Sequence, residues 1–227
     1  MKSPTSFFSL FCLASAALIP SASGIIVSGV VSGGQSFTQG GTFIQLAPGF
    51  TESNPDNTVG NNTFQDPNLY GFNEDQNVQV AGVPLSVNIL ASTGLPGSLP
   101  VGTTVASHYI FFDPEGGTSQ IGSVTFDADI LAVVSSTGNL LASDYLANTG
   151  VTYLNPNARG LEQGDSATID GIDPKKLNVR WTASTPGDYV RVLTKFSPGA
   201  PVPEAGATLI LLVLSGGALL GARKFLS

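Results

Sequence analysis

The sequence predicts an all-β domain, an antiparallel and jelly-roll-like β-sandwich of about ten strands with one short helix. Three observations predict it. Short runs of β-branched and aromatic residues recur between clusters of Gly, Pro, Asn, Asp and Ser, the pattern of strands and their turns. Helical apolar spacing never extends beyond about three turns. The stretch from Gly24 to Ala200 holds about 175 residues, enough to bury one core without disulfides or metal. Two segments of different character flank this domain, at residues 1–23 and 201–227.

Residues 1–23 read as a signal peptide. Lys2 supplies the early charge, Phe7 to Ile19 the apolar core, Pro20 a break, and Ser21, Ala22 and Ser23 the small residues of a cleavage site. An N-terminal anchor helix is the alternative, but the short apolar core and the small residues after it favour cleavage near Ser23. The chain is expected to be exported.

In the domain, Ile25 to Val31 and Thr42 to Leu46 are the first expected strands. Pro48 to Gln76, rich in Asn, Asp, Pro and Gly, reads as one or two long surface loops. Val78 to Val80, Leu85 to Leu90, Thr103 to Phe112, Ile121 to Phe126 and Ile130 to Val134 follow as strands. Leu140, Leu141, Tyr145 and Leu146 suit a short helix over 137–147, capped by Ser136 or Thr137 and ended by Gly150. The closing strands are Val151 to Leu154, Ser166 to Ile169, Lys176 to Ala183 and Asp188 to Phe196. Leu177, Val179 and Trp181 alternate with Lys176, Asn178, Arg180 and Thr182, which places Trp181 in the core. Val190, Val192 and Thr194 alternate with Arg191, Leu193 and Lys195. Ser184-Thr185-Pro186-Gly187 is expected to be a hairpin turn between these last two strands.

The tail locates the protein. From Gly206 to Ala222 the chain is apolar over about 16–18 residues, at the short edge of what crosses a roughly 30 Å hydrocarbon core as a helix. Arg223 and Lys224 would then stay cytoplasmic and place everything before Val202 across the membrane. Val202-Pro203-Glu204, the apolar helix and the terminal basic pair, behind an N-terminal signal, resemble the tail of the PEP-CTERM class of bacterial surface proteins and its variants with Val-Pro-Asp-Ser-Gly. The resemblance implies an exosortase-type processing enzyme as partner and Val202, Pro203, Glu204, Ala205 and Gly206 as sorting motif. Ala205 stands where the commonest form has a second proline. Arg223 and Lys224 would be the membrane stop. The implied route is transient residence in the inner membrane, cleavage near the motif, and delivery to the cell surface or extracellular matrix. An ordinary anchor that stays in the membrane is the alternative, with the same topology. Ser107 to Pro114, Gly150 to Tyr153 and Arg159 to Glu162 also resemble an uncharacterised ectodomain type found with such tails, which implies one folded unit and no activity.

Composition excludes several functions. A net charge of −7, a pI of about 4.4 and 11% charged residues leave no basic surface for phosphates, so no nucleic-acid partner is expected. The only cysteine, Cys12, lies in the signal segment behind Phe11, where a lipobox needs a small residue. The mature chain therefore has no disulfide, thiolate zinc site or cysteine nucleophile. The single histidine, His108, rules out histidine-clustered metal sites and reads as a hydrogen-bonded structural residue.

The remaining candidates are acidic and aromatic. Asp127 with Asp129, Glu162 with Asp165, and Glu74 with Asp75 are the carboxyl pairs a glycosidase-like hydrolase would draw on. Asp56, Asp66, Asn68 and Asp75 are candidate calcium ligands, since hard cations take carboxylate and amide oxygens on loops. Turn chemistry accounts for the same residues. Phe64, Tyr70 and Phe72 either pin the polar loop or form a ligand platform. Arg159 is expected to mark a buried corner with a carboxylate partner. The reading is an exported surface or extracellular-matrix protein with a structural or interaction role, no catalysis and no cofactor beyond that calcium. The alternative is a carbohydrate-binding module for extracellular polysaccharide; a glycosidase-like hydrolase ranks third.

Overall fold

The computed structural model describes residues 26–47, 50 and 57–196. The signal segment expected at 1–23 and the tail expected at 201–227 lie outside the described residues. Those described are all-β, in mostly antiparallel sheets with two short helices.

The smaller sheet has four strands in the order β1 (Ile26–Gly33), β9 (Thr118–Phe126), β13 (Lys176–Ala183) and β12 (Ser166–Ile169). All its pairs are antiparallel. The larger sheet begins with β2 (Phe43–Gln45), β4 (Leu69–Asn73), β8 (Thr104–Phe112) and β14 (Asp188–Thr194). It continues through β10 (Ile130–Val134) and β6 (Leu85–Leu90) to the edge strand β7 (Leu95–Leu99). After β4, Glu74 and Asp75 keep backbone hydrogen bonds to Ser107 of β8, and β5 (Val78–Gln79) then pairs with Val105 and Thr104 of the same strand. A small parallel pair joins β3 (Thr58–Val59) to β11 (Thr152–Tyr153). The helices are α1 (Gly34–Thr38) and α2 (Thr137–Ala142), with 3-10 turns at Asp144–Leu146 and Pro156–Ala158.

Burial follows from where these layers lie. One face of the larger sheet, carrying Ile110, Phe112, Val190 and Val192, shares a core with Val124, Leu177, Val179 and Trp181 of the smaller sheet. The opposite face, carrying Tyr109, Phe111, Tyr189 and Leu193, shares a second core with Leu140, Leu146 and Val151. Val105 to Phe112 of β8 and all of β14 are consequently buried on both faces. Each large apolar side chain so enclosed contributes roughly 1.5–3 kcal/mol relative to exposure.

Several expectations are corrected. Ser184 to Gly187 is no hairpin: β13 pairs with β9 and β12, β14 with β8 and β10, so the turn carries the chain from one sheet to the other. Leu69 to Asn73, read as loop because Asn, Asp and Gly surround it, is a buried strand, since Leu69, Tyr70 and Phe72 gain more by burial than the flanking turn residues resist. Leu95 to Leu99 is a strand despite Pro96, which an edge position tolerates. Parallel pairing, not anticipated, occurs between β2 and β4 and between β3 and β11. The expected helix stops at Ala142 and gives way to a 3-10 turn. Ser136 occupies its N-cap without a side-chain cap bond. Asn88 Oδ1 instead accepts the amides of Ser135 and Ser136 at 2.8 and 3.0 Å, fastening β6 to the start of α2.

Candidate functional site

The expected calcium ligands do not converge. Asp66 Oδ1 accepts the Asn68 amide at 2.8 Å, and its Oδ2 accepts the Tyr70 hydroxyl. Asn68 Oδ1 accepts the Thr42 amide at 2.9 Å. These oxygens close their own loop. Asp75 lies two residues past the far end of β4, whose length alone is about 17 Å by strand rise. Asp56 is outside the described residues, and among those described no group of three His, Cys, Asp or Glu side chains is placed to hold a metal ion. The sorting motif Val202 to Gly206 and the membrane stop Arg223-Lys224 are likewise outside them.

The loop aromatics belong to the core. Tyr70 is 5% and Phe72 2% exposed. Tyr70 stacks on Phe111 with centroids 5.2 Å apart, Phe64 lies 4.5 Å from Tyr70, and Phe72 lies 5.6 Å from Tyr109. Other rings thus occupy the faces a ligand would stack on. The rings pin the segment to the larger sheet, and a flat exposed platform is not what they form.

Charge is concentrated beneath that sheet. Arg191 Nε donates to Glu74 Oε2 at 2.6 Å and its Nη2 to Glu74 Oε1 at 2.8 Å, with both side chains fully buried. Ser107 and Tyr153 hydroxyls donate to the same carboxylate at 2.6 and 2.7 Å. Arg191 Nη1 donates to the Leu140 carbonyl at 3.1 Å and Ser143 Oγ at 2.5 Å, tying the C-terminus of α2 to the sheet. Burial opposes the Arg191 charge, but the Glu74 carboxylate outweighs it and lifts the pKa above the ordinary guanidinium value. Asp144 continues the network to Arg159, whose Nη1 and Nη2 reach it at 3.1 and 2.6 Å. Arg159 is thus the expected buried corner, with Asp144 as its partner. Every lone pair and N–H so used makes this a bracing element that holds helix, turn and sheet together.

In two of the expected carboxyl pairs one member is taken up by a cation. Glu74 is buried against Arg191, and Asp129 pairs at the surface with Lys195 Nζ at 2.7 Å. His108 is fully buried, its ring nitrogens 3.0 Å from Asn73 Oδ1 and 3.1 Å from Thr194 Oγ1. Burial lowers its pKa to about 3, so the ring is neutral. Two further carboxyls sit at the crossover between sheets. Asp113 Oδ2 accepts the Phe64 amide at 3.3 Å, and burial raises its pKa to about 6. Asp188 is 1% exposed with Oδ2 unpaired, and burial, then Asp165 and Glu162, raise its pKa to about 8.

The outside of the smaller sheet exposes a row of polar side chains beside Val30 and Ile121. Register places Ser123 between Val30 and Asn178, Asn178 opposite Thr168, and Arg180 between Ile121 and Ser166. Lys176, Asn178 and Arg180 therefore stand in line along β13, spaced by about 6.6 Å. With Ser32 they line a shallow groove of about 350 Å³. No ion pair engages Arg180 among the described residues, and no carboxylate lines this groove.

No family model, curated protein or solved structure matches the chain.

Sequence reasoning did place Lys176, Asn178 and Arg180 opposite Trp181 by alternation but attached no function to them. It missed Glu74 as the partner of Arg191. Glu74 stood out only as a possible carboxyl pair with its neighbour Asp75, and nothing local linked it to Arg191, 117 positions away.

Proposed function

We propose that the chain is an exported surface or extracellular-matrix protein, sorted by its tail, whose β domain has a structural or binding role and no catalytic one. The observation that carries this is the order of the tail: Val202-Pro203-Glu204, an apolar run to Ala222, then Arg223-Lys224. The domain itself is taken as a jelly-roll-like sandwich. Two features support a non-catalytic role. The single histidine is buried and neutral, and the strongest charge cluster is consumed in bracing.

The test is intact mass with cell fractionation in a host that has an exosortase and in one that lacks it. Loss of both the first 23 residues and the tail beyond about Val202, only where the exosortase is present, is the expected result. A full tail held in the membrane of both hosts would leave a plain anchored ectodomain. Carbohydrate binding is the second reading, favoured by the outer groove with its row of hydroxyl, amide and guanidinium groups.

A further inference from the structure

We propose that the outer face of the smaller sheet binds an extended acidic polysaccharide, one whose repeat carries carboxylates, with Arg180 and Lys176 as its charged contacts. The inference rests on the carbohydrate-binding reading and names the class of polymer. Its basis is a contrast of charge. The chain carries a net charge of −7, yet this groove has two cations on its floor and no carboxylate.

Two carboxylates stand at its rim, fixed by local hydrogen bonds and still charged, and Asp170 is attracted to Lys176. Asp170 Oδ1 accepts the amides of Ile172 and Asp173 at 2.9 and 3.0 Å, and its Oδ2 accepts Asn178 Nδ2 at 3.0 Å. Asp165 Oδ1 accepts the Thr182 amide at 2.8 Å. Asp170 closes its own turn and Asp165 bridges to β13, which leaves Arg180 as the groove's cation without an ion pair among the described residues. Arg180 is exposed and projects from the middle of β13 with Ser166 on one side and Ile121 on the other. A guanidinium so placed presents its planar fork of donors to a carboxylate, a match in geometry as well as charge.

The rest of the face suits a sugar polymer. Ser32, Ser123 and Thr168 offer hydroxyls that both donate and accept, and Asn178 retains its amide oxygen as an acceptor. A four-stranded antiparallel sheet holds these groups at regular spacing with little freedom to collapse, so an extended chain with a repeat can meet several at once. The groove is open and lacks an aromatic lining. Affinity is thus expected to come from many weak polar contacts along the polymer, and to fall with salt because exposed charges are screened.

The experiment is affinity electrophoresis of the full chain in mild detergent, through gels containing polygalacturonate, neutral dextran or duplex DNA. Retardation by polygalacturonate alone is expected, with retardation about tenfold weaker for the double variant Arg180→Glu, Lys176→Glu. Arg180→Gln should lose part of it, and Lys195→Gln, at a distant surface pair, none. Unchanged Trp181 fluorescence shows that the variants fold. Equal retardation by dextran, equal retardation by DNA, or indifference of the polygalacturonate shift to Arg180→Glu would each overturn the proposal. The export reading is judged separately by fractionation, so a chain that binds polygalacturonate but never leaves the cytoplasm would sink that reading and leave the groove standing.

Discussion

Arg191 and Glu74 form a fully buried two-point ion pair, with Nε and Nη2 at 2.6 and 2.8 Å from the two carboxylate oxygens. The residues are 117 positions apart in sequence. Their pairing joins β14 to the segment between β4 and β5 across β8, and through Leu140 and Ser143 it also anchors α2.

Glu74→Gln is expected to destabilise the protein by about 3 kcal/mol, because it leaves the buried Arg191 charge with only the longer 3.3 Å contact to the half-exposed Asp144. Glu74→Leu with Arg191→Met should recover part of that loss, since neither charge then needs compensation. Urea unfolding of the single and double variants checks both. Equal stability of Glu74→Gln and the parent would mean that water reaches the pair.

Asp188 gives a pH dependence of definite sign. Its pKa rises from 3.8 to about 8 on folding, so between these values the folded state holds a proton that the unfolded chain has released. Stability from this group is complete below about pH 4 and is lost as pH rises through about 8. The expected slope near neutral pH approaches 1.4 kcal/mol per pH unit, roughly one proton's worth. Asp188→Asn should flatten it, measured as melting temperature from pH 6 to pH 8.

His108 acts with the opposite sign. Its pKa falls from 6.5 to about 3, so the unfolded chain takes up a proton in that interval and the folded one does not. Its contribution is present above about pH 6.5 and lost as pH falls toward 3. His108→Gln, which can still bond Asn73 and Thr194, should remove the acid-side loss. Comparing the two stability curves below pH 6 decides the matter.

Trp181 is the only tryptophan, and its Nε1 donates to Gln120 Oε1 at 3.0 Å in the core. Trp181→Phe is expected to cost about 1–3 kcal/mol beyond the lost volume, because the buried amide oxygen loses its donor. Thermal unfolding followed by circular dichroism reads this. A double change with Gln120→Leu should be milder than the sum.

The legible part of the fold was the part governed by period two. In β13 the sequence alone put Leu177, Val179 and Trp181 inward and Lys176, Asn178 and Arg180 outward, and the structure has them so. The same rule in β14 set Arg191 on the face opposite Val190 and Val192, and that face too is completely buried. Alternation says that a strand has two different faces; it does not say whether a second layer covers the polar one. The candidate groove was written in the outward residues of β13 but became a groove only when β1, β9 and β12 brought Ser32, Ser123 and Thr168 beside them.

The sequence by itself thus determined the all-β class, the inward row of β13 and the structural role of His108, because each follows from local residue type and spacing. Only the tertiary structure decided that Ser184 to Gly187 crosses between sheets, that Leu69 to Asn73 is a core strand, and that Glu74 meets Arg191. Those depend on which distant surfaces cover which, and burial over both faces of the central sheet outweighs local polarity in choosing them.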